Sequence, residues 1–191
     1  MNENLVQQIK ETCKRKFNNE TLLVFSPGRI NIVGEHTDYN DGFVFPSAVD
    51  KGIVAGFEKS NRSVCSVYVL NKDETITFSL DDIKPLEKEY WGNYIVGVVG
   101  EIQKKGIGLK NFNIVFGGDI PGGAGMSSSA ALENSIVFGL NELFNLGLSK
   151  TDIVFISQKA EHNYVGVNCG IMDQYASMFG TQNYALLLDC R

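Results

Sequence analysis

The stretch Gly117-Gly118-Asp119-Ile120-Pro121-Gly122-Gly123-Ala124-Gly125-Met126-Ser127-Ser128-Ser129-Ala130-Ala131 constrains this chain more than any other. Before it, Phe112, Ile114 and Phe116 alternate with other residues, which predicts a half-buried strand. After it, Ala130, Leu132, Ile136, Val137, Leu140, Leu143 and Phe144 recur at spacings of three and four, which predicts an amphipathic or buried helix. Glycines between the two let the backbone curl and approach a ligand closely. Serines at a helix start cap free amides or offer hydroxyls to phosphate or metal. The helix N-terminus adds unpaired N–H groups and the positive end of its dipole. Together these favour an anion, most simply a nucleotide phosphate. The loop is not a Walker A motif, since no Gly-Lys-Ser/Thr ends it, nor a dinucleotide fingerprint, since no acidic residue closes a second parallel strand. Spacing alone also allows an ordinary glycine-rich connector with a serine cap.

A chain of 191 residues suits one large domain or two small ones, and no repeat, low-complexity tract or interdomain linker divides it. Hydrophobic residues at 43% and charged residues at 20% belong to a globular protein rather than a disordered one. A net charge of −5 without a basic cluster argues against a nucleic-acid partner. The apolar runs are too short for a membrane span, and Met1 to Lys16 has no signal-peptide core. Cys13, Cys65, Cys169 and Cys190 lie far apart without metal-type pairing, so reduced thiols and a cytoplasmic location are expected.

Along the chain, Leu5, Ile9, Cys13 and Phe17 predict a short helix. Leu22 to Phe25 predicts a strand closed by a Ser26-Pro27-Gly28 turn. In the next segment Ile30, Ile32 and Val33 can anchor a strand that leaves Arg29 and Asn31 on the other face. The polar loop that follows carries Glu35, His36, Thr37, Asp38, Asn40 and Asp41. Such residues stabilise solvated turns, and they equally suit a polyhydroxylated ligand that needs paired donors and acceptors. A lone His among carboxylates fits zinc poorly. Strands are predicted over 53–57, 64–70 and 75–78, with turns at Asn61-Arg62 and Asn71-Lys72-Asp73. Trp91, Tyr94, Ile95, Val98, Val99 and Ile102 mark a helix ended by Lys104-Lys105-Gly106, with Trp91 a core or rim residue. Ser149 and Asp152 make a capping box for a helix to about Tyr164. Glu161 closes that helix, 166–169 form a loop, and a second helical run carries Asp173. The final residues, 186–191, read as a strand.

Three of these segments resemble a known family. The lysine-free Gly-x-Gly-x-Ser-Ser-Ser-Ala-Ala loop is similar to the phosphate loop of the GHMP small-molecule kinases. The run from Gly28 through Glu35-His36-Thr37-Asp38 to Gly42 resembles the galactokinase signature almost residue for residue. Glu161-His162 with Cys169-Gly170-Ile171-Met172-Asp173-Gln174 resembles a third galactokinase segment, although family members commonly carry proline where Asn168 stands.

The resemblance implies an α+β fold: a ribosomal-S5-like N-terminal lobe of a GHMP kinase over residues 1–191, a mixed sheet with packed helices. It implies ATP- and Mg²⁺-dependent phosphorylation of galactose at its C1 hydroxyl. By the same resemblance, Gly123, Ala124, Gly125, Met126, Ser127, Ser128 and Ser129 hold the ATP phosphates, and Ser129 (or Ser128) with Glu161 ligates Mg²⁺. Glu35, His36, Thr37, Asp38 and Gly170 bind the sugar, Asp173 is the catalytic aspartate and Arg29 its neighbour, and an aromatic near Trp91 can line the adenine pocket. Family members are roughly twice this long, so a second, ferredoxin-like lobe is expected to be absent from this chain and to act as a covalent or separate partner. Two other readings stay open: a sugar- and ATP-sensing regulator, and an N-acetylgalactosamine-type kinase. The intact Ser127-Ser128-Ser129-Ala130 run favours an enzyme over the first, and the unmodified Glu35-to-Asp38 run favours galactose over the second.

Overall fold

The structure, a computed structural model, describes residues 1–17, 21–87 and 90–191. Its elements follow in the order α1 (Glu3–Lys16), β1 (Leu22–Asn31), β2 (Phe43–Val44), β3 (Pro46–Lys59), β4 (Cys65–Val69), β5 (Glu74–Phe78), α2 (Gly92–Lys104), β6 (Phe112–Gly118), α3 (Ser128–Phe144), α4 (Lys150–Ala160), a single π-turn (Glu161–Val165), α5 (Met172–Phe179) and β7 (Leu188–Asp189). Five strands form one sheet in the order β1-β3-β6-β4-β5, and β2 pairs with β7 apart from it. The β4–β6 pair is parallel and the remaining pairs are antiparallel. The sheet is mixed, as expected of the α+β class.

The two faces of that sheet differ because β3 and β6 alternate between them. Val54 and Val115 point to one side, where Leu5, Ile9, Cys13 and Phe17 of the α1 stripe cover them. Ala55, Phe57, Ile114 and Phe116 point to the other, into the main core built with α2, α3 and α4. Helix α3 lies at the centre of this layer. Every residue from Ala130 to Val137 is buried, including Glu133, Asn134 and Ser135. A helix enclosed on all sides cannot be amphipathic in the ordinary sense, and its N-terminus is thereby fixed against the sheet. Gly139 permits that close approach, since a methyl group there would enter the buried Phe57 ring.

Three local expectations need correction. The Ser26-Pro27-Gly28 segment is not a turn: β1 runs through it to Asn31, with a register irregularity between Pro27 and Arg29. Strand β1 lies at the edge of the sheet, where a residue without an N–H is tolerated. Ile30, Ile32 and Val33 do not anchor a core strand; all three are exposed. The predicted terminal strand shrinks to Leu188–Asp189, paired with Phe43 and Val44. The capping box of α4 is present as read, with Ser149 accepting from the Asp152 amide, but the helix passes at Glu161 into the π-turn rather than ending there. Such turns occur frequently at functional sites.

Among the described residues, no helix is long and apolar enough to cross a membrane.

Candidate active site

The glycine-rich loop hangs from the end of β6 and is held at its root by the sheet. Asp119 accepts from the Gly52 amide at 2.8 Å and returns its own amide to the Gly52 carbonyl at 3.1 Å. The loop then reaches the irregular point of β1, where the Arg29 amide donates to the Met126 carbonyl at 3.1 Å. A side chain at Gly28 would strike that carbonyl, so the glycine is required by the approach itself. Gly123 and Gly125 adopt positive φ values of 72° and 64°, and nothing lies within 4 Å of where their side chains would be. The loop is an open backbone cradle.

Ser127 departs from the expected serine cap. It precedes α3 in the left-handed region at φ 55°, and its side chain caps nothing. The first-turn amides of α3 are therefore left without a side-chain acceptor, an arrangement that suits an incoming anion. The Ser127 hydroxyl turns instead to Asp173 and donates to Oδ2.

Asp173 stands in the first turn of α5 and faces Arg29 of β1. The Arg29 Nε and Nη2 both reach Asp173 Oδ1 at 2.8 Å, while Nη1 donates to the Gly125 carbonyl. One guanidinium thus ties β1, the glycine-rich loop and α5 together. The Arg29 side chain retains 13% of its exposure and that of Asp173 retains 25%, so the pair is sheltered yet open on one side. Helix α5 is held in this position because the Ser177 hydroxyl lies 3.0 Å from that of Ser26 and 2.7 Å from the Pro27 carbonyl.

The polar loop between β1 and β2 forms a second wall. Gly34, His36 and Asp41 take positive φ values of 103°, 61° and 54°, which fold the loop back on itself. Thr37 ties its two ends: Oγ1 lies 2.8 Å from the Gly34 carbonyl and 2.7 Å from that of Phe43. This hydroxyl, counted from sequence among the sugar-binding groups, is committed to the loop itself. Glu35 accepts from Asn31 Nδ2 at 3.0 Å, and His36 Nδ1 contacts the Tyr39 hydroxyl. Glu35 and His36 are exposed, while Asp38 is half-buried with its carboxylate against Gly170. The strand pair β2–β7 braces the base of this loop, helped by the Cys190 amide donating to the Gly42 carbonyl at 3.0 Å.

The contact between Gly170 and Asp38 gives a direct prediction. A methyl group at Gly170 would overlap the Asp38 carboxylate, so Gly170→Ala displaces that carboxylate while leaving the phosphate loop untouched. If Asp38 holds galactose, as the sequence resemblance implies, galactose affinity by calorimetry should fall about tenfold or more, the worth of a hydrogen bond to a charged group, with ADP affinity unchanged. Unchanged galactose affinity would remove Asp38 from the sugar-binding set.

Behind the loop lies a buried acidic cluster. Glu161, at the head of the π-turn, is 6% exposed. Burial chiefly raises its pKa, while the neighbouring Cys169 and Ser129 side chains act to lower it. Gln174 Nε2 donates to Glu161 Oε2 at 3.0 Å. Glu133, fully buried on α3, has no hydrogen-bond partner for either carboxylate oxygen, although Glu161 and Gln174 lie beside it. Its pKa is driven well upward by desolvation first and by the Glu161 charge second. The same cluster pushes the Tyr94 phenol up to about 12, again through burial first.

Next to these groups a cavity of about 420 Å³ opens between the sheet and the start of α3. Its walls include Ile53, Val69, Trp91, Phe116 and Leu132, and Ser128 and Ser129 stand at the phosphate-loop end. Of these lining residues, sequence reasoning found Trp91 and the serines. It missed the sheet residues, because alternation marks a strand without saying which positions border a cavity. Glu133 and Gln174 were also missed. Gln174 stands in the sequence only as part of the third family-like segment, and Glu133 lies in a polar triplet, Glu133-Asn134-Ser135, within a helix whose other early positions are small or apolar.

A strand-to-helix glycine loop beside an Arg–Asp pair is the arrangement that the sequence resemblance implies, and similarity to known proteins agrees. Residues 93–181 match the GHMP kinases N terminal domain. Residues 12–59 match the Galactokinase galactose-binding signature. Galactokinase from Clostridium acetobutylicum is 44% identical over 189 residues, 97% of this chain and 48% of the relative. Galactokinase from Thermosipho africanus is 49% identical over 169 residues, 88% of this chain and 46% of the relative. The structure of Lactococcus lactis galactokinase complexed with galactose superposes with a TM-score of 0.92 at 37% identity, covering 97% of this chain and 49% of that one. Methanococcus jannaschii mevalonate kinase shares the fold alone, with a TM-score of 0.76 at 16% identity. The chain belongs to the GHMP kinase family and, within it, to the galactokinases, matching their N-terminal lobe. It spans about half the length of the curated relatives it matches.

Proposed function

We propose that this chain provides the galactose- and ATP-phosphate-binding half of a galactokinase, which transfers the γ-phosphoryl group of ATP to the C1 hydroxyl of α-D-galactose. The observation that carries this reading is the position of the Arg29–Asp173 pair between the glycine loop and the polar loop. A nucleophile held by one wall would there meet a phosphate held by the other.

The roles follow from the chemistry of each group. A sugar hydroxyl is a poor nucleophile at neutral pH, and Asp173 is placed to accept its proton as the new P–O bond forms. Arg29 orients that carboxylate and offers positive charge towards the transferring phosphoryl group. Glu35, His36 and Asp38, with the Gly170 backbone, hold the remaining sugar hydroxyls. The open loop from Gly123 to Ser129 and the unfilled amides of α3 hold the phosphates. The cavity beside Trp91 takes the base. Positioning and electrostatics of this kind supply most of the acceleration in phosphoryl transfer.

Mg²⁺ fits the residues present. Ser129 and Glu161 are neighbours, and together they present oxygen ligands alone, the donor set of a hard cation. Glu161 is also a buried carboxylate without a paired lysine or arginine among the described residues. Bound there, Mg²⁺ would neutralise charge on the phosphates.

The relatives' second half is proposed to close the cleft and to exclude water from it. The four free cysteines fit a reducing cytoplasm. The test is galactose- and Mg²⁺-dependent ADP release by this chain, alone and supplemented with the half of a galactokinase that it does not match, alongside calorimetry of galactose and ADP. Binding of both ligands, with turnover on supplementation, is the expected result. Absence of galactose binding together with absence of turnover in either sample would overturn the assignment.

A further inference from the structure

Trp91 is the single tryptophan of the chain, and it stands at the first position before α2 without the support of a full core environment. Three contacts fix its ring. Phe116 meets it edge-on with centroids 5.7 Å apart, Tyr90 lies tilted at 5.4 Å, and Glu74 Oε2 accepts from the indole Nε1 at 2.7 Å. The two aromatic contacts are packing contacts. The Glu74 contact is the hydrogen bond among the three, and it sets the direction of the indole edge.

The segment that carries Glu74 is itself unusually constrained. Asn71 both donates to the Gly118 carbonyl at 3.1 Å and accepts from the Gly118 amide at 2.9 Å, so its side chain extends the β6 ladder. Asp73 occupies the left-handed region at φ 54° and accepts from the Tyr68 hydroxyl at 2.7 Å. Glu74 then begins β5, paired with Val69. A turn held on both sides in this way fixes the backbone from which the Glu74 carboxylate reaches the indole, as a supporting residue requires. The turn also borders the cavity, for Asn71 and Lys72 line it together with Trp91.

We propose that Glu74 is a positioning residue for nucleobase binding: its carboxylate holds the Trp91 indole as the wall against which the base packs. This rests on the reading of the cavity as the base site. Asn71 spends one donor and one acceptor on Gly118, and beside it Trp91 and Phe116 give the cavity a flat aromatic wall, so the orientation of the Trp91 ring affects how well a base packs.

The test uses the 191-residue chain, with Trp91 emission as the reporter and ADP and inorganic tripolyphosphate as probes, each with Mg²⁺. In the wild type, ADP should change Trp91 emission and bind more tightly than tripolyphosphate. Glu74→Ala should shift the emission of the free protein and weaken ADP about three- to tenfold, in the range for one partly exposed charged hydrogen bond. Tripolyphosphate affinity should stay unchanged. Glu74→Gln, which keeps a carbonyl acceptor, should recover most of the ADP affinity. If ADP perturbs Trp91 yet binds Glu74→Ala as tightly as wild type, the positioning role is wrong and the base site stands. If Glu74→Ala weakens tripolyphosphate as much as ADP, the bond serves the fold alone and the proposal fails. If wild-type Trp91 ignores ADP and the base adds no affinity, the base-site reading falls, and the inference with it.

Discussion

Asp173→Asn should lower galactose-dependent ADP release by at least about 10²-fold, the lower end of the contribution of a general base. The substitution is conservative in shape. An amide oxygen can still accept from Arg29, so the link between α5 and β1 should survive, and the Ser26–Ser177 contact holds the helix independently. What is lost is a group that can take a proton from the sugar. Galactose and ADP binding should change far less than turnover, because the proposed sugar-binding residues Glu35, His36 and Asp38 lie on a different loop and the proposed phosphate-binding loop leads into a different helix. The measurement is turnover in the supplemented assay together with calorimetry of each ligand. Near-normal turnover would remove Asp173 from the chemical centre, and equal losses in binding and turnover would make it a binding residue only.

Phe57→Ala should destabilise the fold by about 3–5 kcal/mol, the usual range for deleting a fully buried aromatic ring. Phe57 is completely enclosed on β3, with Gly139 of α3 directly against its ring. Gly139→Ala should by itself cost about 1–3 kcal/mol through overpacking, because neither the ring nor the central helix has room to retreat. The two changes share one space, so the double variant should be more stable than the sum of the single losses predicts. Neighbouring core positions commonly couple in this way. Urea denaturation of the three variants decides it. Strict additivity would mean that α3 shifts on the sheet, and the phosphate loop attached to its N-terminus would shift as well.

The sequence revealed those elements whose physical cause is local. The α1 stripe, the strand–loop–helix around residues 117–131 and the α4 capping box each depend on neighbours within a few residues, and each is present. The failures share a different cause. Ser26-Pro27-Gly28 carries strong turn chemistry, but the edge position of β1 and its irregular pairing at Gly28 absorb the proline and glycine into a strand. Ile30, Ile32 and Val33 have the composition of a core strand and are exposed, because the chain has by then left the covered part of the sheet. Ser127 had the composition of a cap, yet its hydroxyl goes to Asp173, a partner that local sequence cannot show. The residues alone suggested an anion-binding loop and a polar loop, but joining them with Arg29 and Asp173 into one candidate site took the resemblance. No spacing rule joins Arg29 to Asp173 across 144 residues.

That separation bears on how the protein is made. The contacts that complete the site, Arg29 with Asp173 and Pro27 with Ser177, span 144 and 150 residues. On a ribosome that releases the chain from its N-terminus, β1 emerges long before the helix that must dock beside it. The polar loop and the phosphate loop can each take shape earlier, but the arginine waits without its carboxylate until α5 clears the exit tunnel. Domains with such long-range closures fold slowly and expose unpaired edges in the interval. Strand β1 can gain its sheet partner β3 early, but Ser26 and Arg29 gain theirs only once α5 arrives, so the site is the last part of this sheet edge to be completed.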